Sequence, residues 1–177
     1  MKRNLTVELS PKQKDADLPI LKATVKNNQG FNFKSGKPTL NFEEADFIVS
    51  LIPGGILNEF KMLGNGGIIA VERRDEDAHS AFLNMTEAPE EGYLANIKKD
   101  IIYQNKERGS LSFYIRTCDG KHYAKIKIIS FGESNKESRM SFSYVYQPDG
   151  SRNLGSSSPS LKKEYKKLPY DILLQIN

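Results

Sequence analysis

One cysteine, no tryptophan and two histidines are all that 177 residues supply of the side chains that most often cross-link, stack or ligate. The lone thiol, Cys118, excludes an internal disulfide and a cysteine-rich zinc site. With only His79 and His122, a histidine-rich metal centre is excluded too, leaving at most a pair that could ligate one metal or a haem from both sides. The lack of tryptophan weakens a sugar-stacking reading without removing it. No apolar run approaches the roughly 20 residues of a membrane-spanning helix, so no transmembrane segment is expected. Met1-Lys2-Arg3-Asn4 has the charge of a signal-peptide start, but Leu5 to Ser10 brings charge and polarity where an apolar core belongs. The expectation from this sequence is therefore no export signal.

What is present is a mixed, polar-surfaced composition: 38% hydrophobic, 27% charged, with a mean hydropathy of −0.54. A chain of this length buries a real core as one domain. The net charge of +4 is unevenly placed. From Ser151 onward Arg152, Lys162, Lys163, Lys166 and Lys167 face only Glu164 and Asp171, so the body is close to neutral and the basic character belongs to the tail. We expect a β-rich domain over residues 1–155 and a basic segment over 156–177 that docks on it. The tail is short and carries an acid in its middle, so a solvated lysine face is expected and nucleic-acid binding is not.

Alternation with period two is the clearest signal. Leu111, Phe113 and Ile115 alternate with Ser112, Tyr114 and Arg116, as in a half-buried strand. Asp119-Gly120 supplies a hairpin turn. Ala124, Ile126 and Ile128 then share a face opposite Tyr123, Lys125 and Lys127. After a polar loop expected over Gly132 to Arg139, Met140, Phe142, Tyr144 and Tyr146 share one face of a third strand, ended by Asp149-Gly150. Earlier in the chain, Leu5–Leu9, Leu18–Val25, Gly30–Phe33, Ala45–Ile52 and Ile68–Val71 read as strands, while Ile56–Leu63 fits strand or helix. Pro19 favours an edge or a strand start. Only Asp77 to Met85 reads as helix, with Asp75 or Asp77 as N-cap and Pro89 beyond its end. The fold class expected is all-β with minor helix, an antiparallel β-sandwich or barrel-like domain.

Candidate chemistry is thin. Gly64-Asn65-Gly66-Gly67 has neither P-loop nor dinucleotide-fingerprint spacing and reads as a turn. Glu72, Asp75, Glu76 and Asp77, interleaved with Arg73 and Arg74, read as a salt-bridged loop, with a carboxylate-based hydrolase as an alternative. Cys118, between Thr117 and Asp119, reads as an ordinary turn thiol. Seven aromatics between Ser110 and Gln147 serve mainly as core, but Tyr114 and Tyr123 fall on the faces opposite the core residues. They are the expected ligand contacts.

The stretch from Phe113 to Ile126, with Tyr114, Arg116-Thr117, Asp119-Gly120-Lys121 and Ala124-Lys125, resembles the hairpin of the HmuY-like family and related β-rich bacterial envelope proteins. Met140 to Gln147 resembles the family's next strand, and Gly30–Lys37 with Ala45-Asp46-Phe47 is similar to an N-terminal element of such proteins. The resemblance implies an all-β, non-enzymatic protein of bacterial origin, in the envelope or secreted if a signal has been removed. Members of that family capture haem through paired axial side chains, which makes haem capture an alternative function; neither ligand position maps onto a histidine here, and the residues available for it are His79 and His122, or one of them with Met62, Met85 or Met140. The matching motif is the structural hairpin rather than the ligand set, and fold transfers more safely than function. The functional expectation is thus a non-catalytic binding or interaction module with a protein or glycan ligand and no cofactor.

Overall fold

The computed structural model describes residues 17–53, 56–71, 78–98 and 111–156. The strand expected at Leu5–Leu9, the carboxylate loop Glu72–Asp77 and the basic segment from residue 157 lie outside the described residues.

Among the described residues ten strands and one short helix follow one another as β1 (Leu21–Lys26), β2 (Gly30–Asn32), β3 (Lys37–Thr39), β4 (Phe47–Ile52), β5 (Ile56–Met62), β6 (Gly67–Val71), α1 (Ala78–Leu83), β7 (Asn96–Lys98), β8 (Ser112–Arg116), β9 (Tyr123–Ser134) and β10 (Glu137–Gln147). They form two five-stranded antiparallel sheets, ordered β1-β10-β9-β8-β6 and β3-β2-β4-β5-β7. The sheets pack face to face and do not close, so of the two expected architectures the chain adopts the sandwich.

The C-terminal meander is the sheet that the alternation describes. Phe113, Ile115, Ala124, Ile126, Met140 and Phe142 are all fully buried between the sheets. Against them the second sheet sets Phe31, Phe47, Val49, Leu57 and Phe60. The phenylalanines interlock edge to face: Phe31 meets Phe142 at 5.1 Å and 84°. Such pairs add about 1 kcal/mol beyond their buried area.

Two local expectations change. The stretch from Gly132 to Arg139 is not a loop; β9 and β10 run on to a two-residue turn at Asn135-Lys136. Both turn residues take positive φ, 54° and 61°, which matches the twist of a tight hairpin. Polar side chains on both faces there hide the period-two signal. Ile56–Leu63, ambiguous in sequence, is strand through Met62, because pairing with β4 buries Leu57 and Phe60.

The sheet edges are blunted against further pairing. Edge strand β1 carries Lys22 and Lys26, and the side chain of Gln29 accepts the Lys26 N–H. Edge strand β3 contains Pro38. Strand β6 exchanges two backbone hydrogen bonds with Leu94. Part of the outer face of the first sheet is covered by α1, whose Phe82 packs with Met85, Val145, Leu18, Ile20, Val71 and Tyr114 into a second, smaller apolar cluster.

Candidate functional site

Turns gather at one end of the sandwich: 33–36 after β2, 63–66 after β5, 117–122 between β8 and β9, and 148–151 after β10. The 63–66 turn packs on 117–122 through the Asn65 N–H to Cys118 carbonyl bond, and the other three line a cavity of about 240 Å³. Its floor is built by two aspartates with different tasks.

Asp46, 4% exposed, lies just before β4. Its carboxylate accepts the backbone N–H of Phe33 at 2.7 Å and that of Cys118 at 2.9 Å. One side chain thereby ties the first hairpin of one sheet to the β8–β9 turn of the other. Asp119 organises that turn itself. It accepts from the Thr117 hydroxyl at 2.7 Å and from the Lys121 N–H at 2.8 Å, while its second oxygen meets His122 Nδ1 at 2.6 Å. Partial burial works to raise the Asp119 pKa, but the bonds from Lys121, Thr117 and His122 outweigh it and hold the group at about 2.

Cys118 sits between the two carboxylates. Burial, the hydrogen bond to Asp46 and the negative charge of both aspartates push its thiol up to about 11. A thiol held in its neutral form is a poor nucleophile at neutral pH. The reading of Cys118 as an ordinary turn thiol agrees with that environment.

Beside this polar floor, a second hollow of about 280 Å³ shares Lys34, Tyr146 and Pro148 with the first and continues along Phe33, Tyr144 and Leu18. Tyr146 stacks on Phe33 at 6.2 Å and 15° and stands 6.2 Å from the His122 ring. The cleft therefore joins an apolar, aromatic wall to a hydrogen-bonding end. A larger hollow of about 530 Å³ lies at the opposite end of the sandwich, beside Glu133, Lys136 and Glu137; there Asn27 accepts the Leu51 N–H and Ser138 donates to the Ile52 carbonyl, but among the described residues no aromatic side chain lines it.

The residues singled out from sequence are distributed unevenly over this frame. His122 is in the cleft; His79 is on α1, with Nδ1 3.4 Å from the Lys127 ammonium. Lys127 lies five residues along the chain from His122, roughly 16 Å at strand rise, and on the outer face of the sheet rather than the inner. The two histidines are thus not brought together. Met62 and Met140 are buried between the sheets, and Met85 is buried beneath α1. Among the described residues no group of three or more His, Cys, Asp or Glu could hold a metal ion.

Tyr114 and Tyr123 do share the outer face, opposite the core. Tyr114 is half-buried under α1, packed in the Phe82 cluster, and so forms a wall rather than an open contact. Tyr123 lies 6.3 Å from the ring of Tyr93. Lys125, in register with Tyr114 and two residues beyond Tyr123, is fully buried.

Comparison with protein families, characterised proteins and solved structures finds no match to this chain.

The cleft residues that sequence reasoning passed over as site residues are Asp46, Asp119, Lys34 and Tyr146. Asp46 carries a readable signal: a carboxylate between Ala45 and Phe47, at the start of an apolar strand, has to be satisfied internally. Lys34 has no comparable signal.

Proposed function

We propose that this protein is a non-catalytic binding module of the bacterial envelope type that the hairpin resemblance implies, and that its ligand sits in the cleft at the turn end of the sandwich. The observation that carries the reading is the junction of the aromatic wall with a floor whose acids are already committed. Asp46 accepts two backbone N–H groups, Asp119 is bonded within its own turn, and Cys118 is held as a thiol. In such a floor the two aspartates and the thiol are engaged with the protein itself, and His122 is left to contact the ligand. A glycan suits it, with a sugar face on Tyr146 and hydroxyls meeting Lys34, Asn32 and His122.

The test is a titration of the ¹⁵N-labelled protein with a panel of oligosaccharides. We expect saturable shifts confined to residues around His122, Lys34 and Tyr146, lost in Tyr146→Ala, with the sugar recovered intact afterwards. Turnover of the sugar, or shifts mapping only to the opposite end, would remove the proposal.

A second reading, haem capture, is favoured by one geometric detail. Asp119 engages His122 Nδ1, which leaves Nε2 as the lone-pair nitrogen, the arrangement in which a carboxylate orients a ligating imidazole. In this reading His122 is the ligand and His79 is not. A haemin titration followed near the Soret band decides it: a saturable shift abolished by His122→Ala and retained in His79→Ala supports it, and a featureless titration retires it.

A further inference from the structure

Around the corner from the cleft, on the outer face of the first sheet, Arg116 has no counter-ion among the described residues. It pairs in register with Gly67 on one side and Tyr123 on the other. Its guanidinium lies over the Tyr93 ring at 4.9 Å. Its Nε is buried with no hydrogen-bond partner, and among the described residues the group makes no hydrogen bond or ion pair. Arg152, the second cation near Tyr93, is the opposite case. It bridges Glu87 and Glu90 at 2.8 and 3.0 Å and donates to the Ala88 carbonyl. Glu87 and Glu90 are therefore held by Arg152, and no described acid is paired with Arg116.

Its platform is fixed in place. The Tyr93 hydroxyl donates to the Pro89 carbonyl at 3.0 Å. Below the ring is Gly67, where even a Cβ would come within 2.4 Å of Tyr93 Cβ. Burial drives the Tyr93 pKa far upward, so the phenol stays neutral beside the guanidinium. Stacked in this way, an arginine presents the two outer nitrogens of its fork, which match the two oxygens of a carboxylate or phosphate. Tyr123, in register with Arg116 and 6.3 Å from the Tyr93 ring, is a second aromatic surface on the same face.

We propose that Arg116, Tyr93 and Tyr123 form a binding site for an oxyanion carried on a flat apolar body, with the oxyanion on the Arg116 fork and the body against Tyr123. The site is separate from the cleft and does not depend on what the cleft binds.

The experiment follows the Arg116 Nε–Hε cross-peak of the full chain during titration with benzoate, phenyl phosphate, acetate and benzyl alcohol. Benzoate or phenyl phosphate shifts the peak saturably and binds roughly fivefold tighter than acetate, the contribution of one aromatic stack; benzyl alcohol leaves it unmoved. Tighter benzoate assigns a carboxylate, and tighter phenyl phosphate a phosphate ester. Arg116→Gln, which also assigns the peak, abolishes binding when followed at Tyr123. Arg116→Lys, which keeps the charge and loses the fork, weakens it several-fold, and Tyr123→Ala brings benzoate down to the level of acetate. The proposal is overturned if neither aromatic anion gives a saturable shift, if benzyl alcohol binds equally well, or if affinity survives in a folded Arg116→Gln.

Discussion

Asp46 reaches from one sheet of the sandwich to the other: its Oδ1 accepts the N–H of Cys118 at 2.9 Å while Oδ2 accepts that of Phe33 at 2.7 Å. The open end of the fold is held by a side chain acting on backbone groups that neither sheet pairs itself. Removing it orphans two donors, one of them buried. We expect Asp46→Ala to cost about 3 kcal/mol in urea unfolding, in the range for lost hydrogen bonds to a charged acceptor. Asp46→Asn, which keeps one acceptor oxygen, should lose about half as much. An unchanged midpoint in Asp46→Ala would mean that the two sheets dock without this link.

The same carboxylate sets the chemistry of its neighbour. With the Cys118 thiol at about 11 rather than its ordinary 9.0, the thiolate fraction at neutral pH is lower by about a hundredfold, and alkylation scales with that fraction. Iodoacetamide labelling of the folded protein should run about a hundredfold slower than that of a short cysteine peptide at pH 7.5. Its rate should climb until pH 11. Asp46→Asn removes a charge and an acceptor, so its inflection should move down. Labelling at the peptide's rate would place Cys118 in open solvent.

Lys125 is buried, its ammonium donating to the Met85 carbonyl at 3.0 Å and lying 4.8 Å from the Phe82 ring. Burial lowers its pKa from 10.5 to about 8. Between those values the unfolded chain holds the proton and the folded chain does not, so stability rises with pH from 8 to 10.5, by at most about 3 kcal/mol. Lys127, His79 and Tyr114 face the same cluster, and Cys118, Tyr144 and Tyr146, all raised, oppose the trend in the alkaline range. The difference between wild type and Lys125→Met isolates the lysine. That variant should match or exceed the wild type at pH 7 and lose the rise above pH 8. An identical pH profile in both proteins would show that the ammonium is solvated.

These relationships mark where reading the sequence succeeds and where it stops. Period-two alternation from Leu111 onward places Phe113, Ile115, Ala124, Ile126, Met140 and Phe142 on the core face because one face of that sheet is buried and the residues obey it. The same rule puts Tyr123, Lys125 and Lys127 on an outer face and says nothing of what covers that face. Only the packing of α1 turns Lys125 from a surface lysine into a buried one. Asp119-Gly120 announces a turn, and Gly120 duly takes φ +73°, but the partners of Asp119 are backbone groups that no motif names. Asn135-Lys136 ends a strand without a glycine to advertise it. The separation of His79 from His122 is a tertiary fact with no local sign at either residue.

Gly67 tests the outer-face site without touching its polar groups. It lies beneath Tyr93, and a methyl there would approach Tyr93 Cβ to 2.4 Å, far inside contact distance. Either β6 or the loop carrying Tyr93 has to move. Gly67→Ala should therefore cost about 1–3 kcal/mol, as for an overpacked interior, and should lift the Tyr93 ring off Arg116. The second effect separates this from a general loss of packing. With no tryptophan in the chain, tyrosine fluorescence and the Arg116 Nε–Hε shift are both readable. A Gly67→Ala protein with an unchanged melting temperature and an unchanged Arg116 resonance would mean that Tyr93 is not packed on Gly67, and the platform on which the oxyanion site rests would be lost with it.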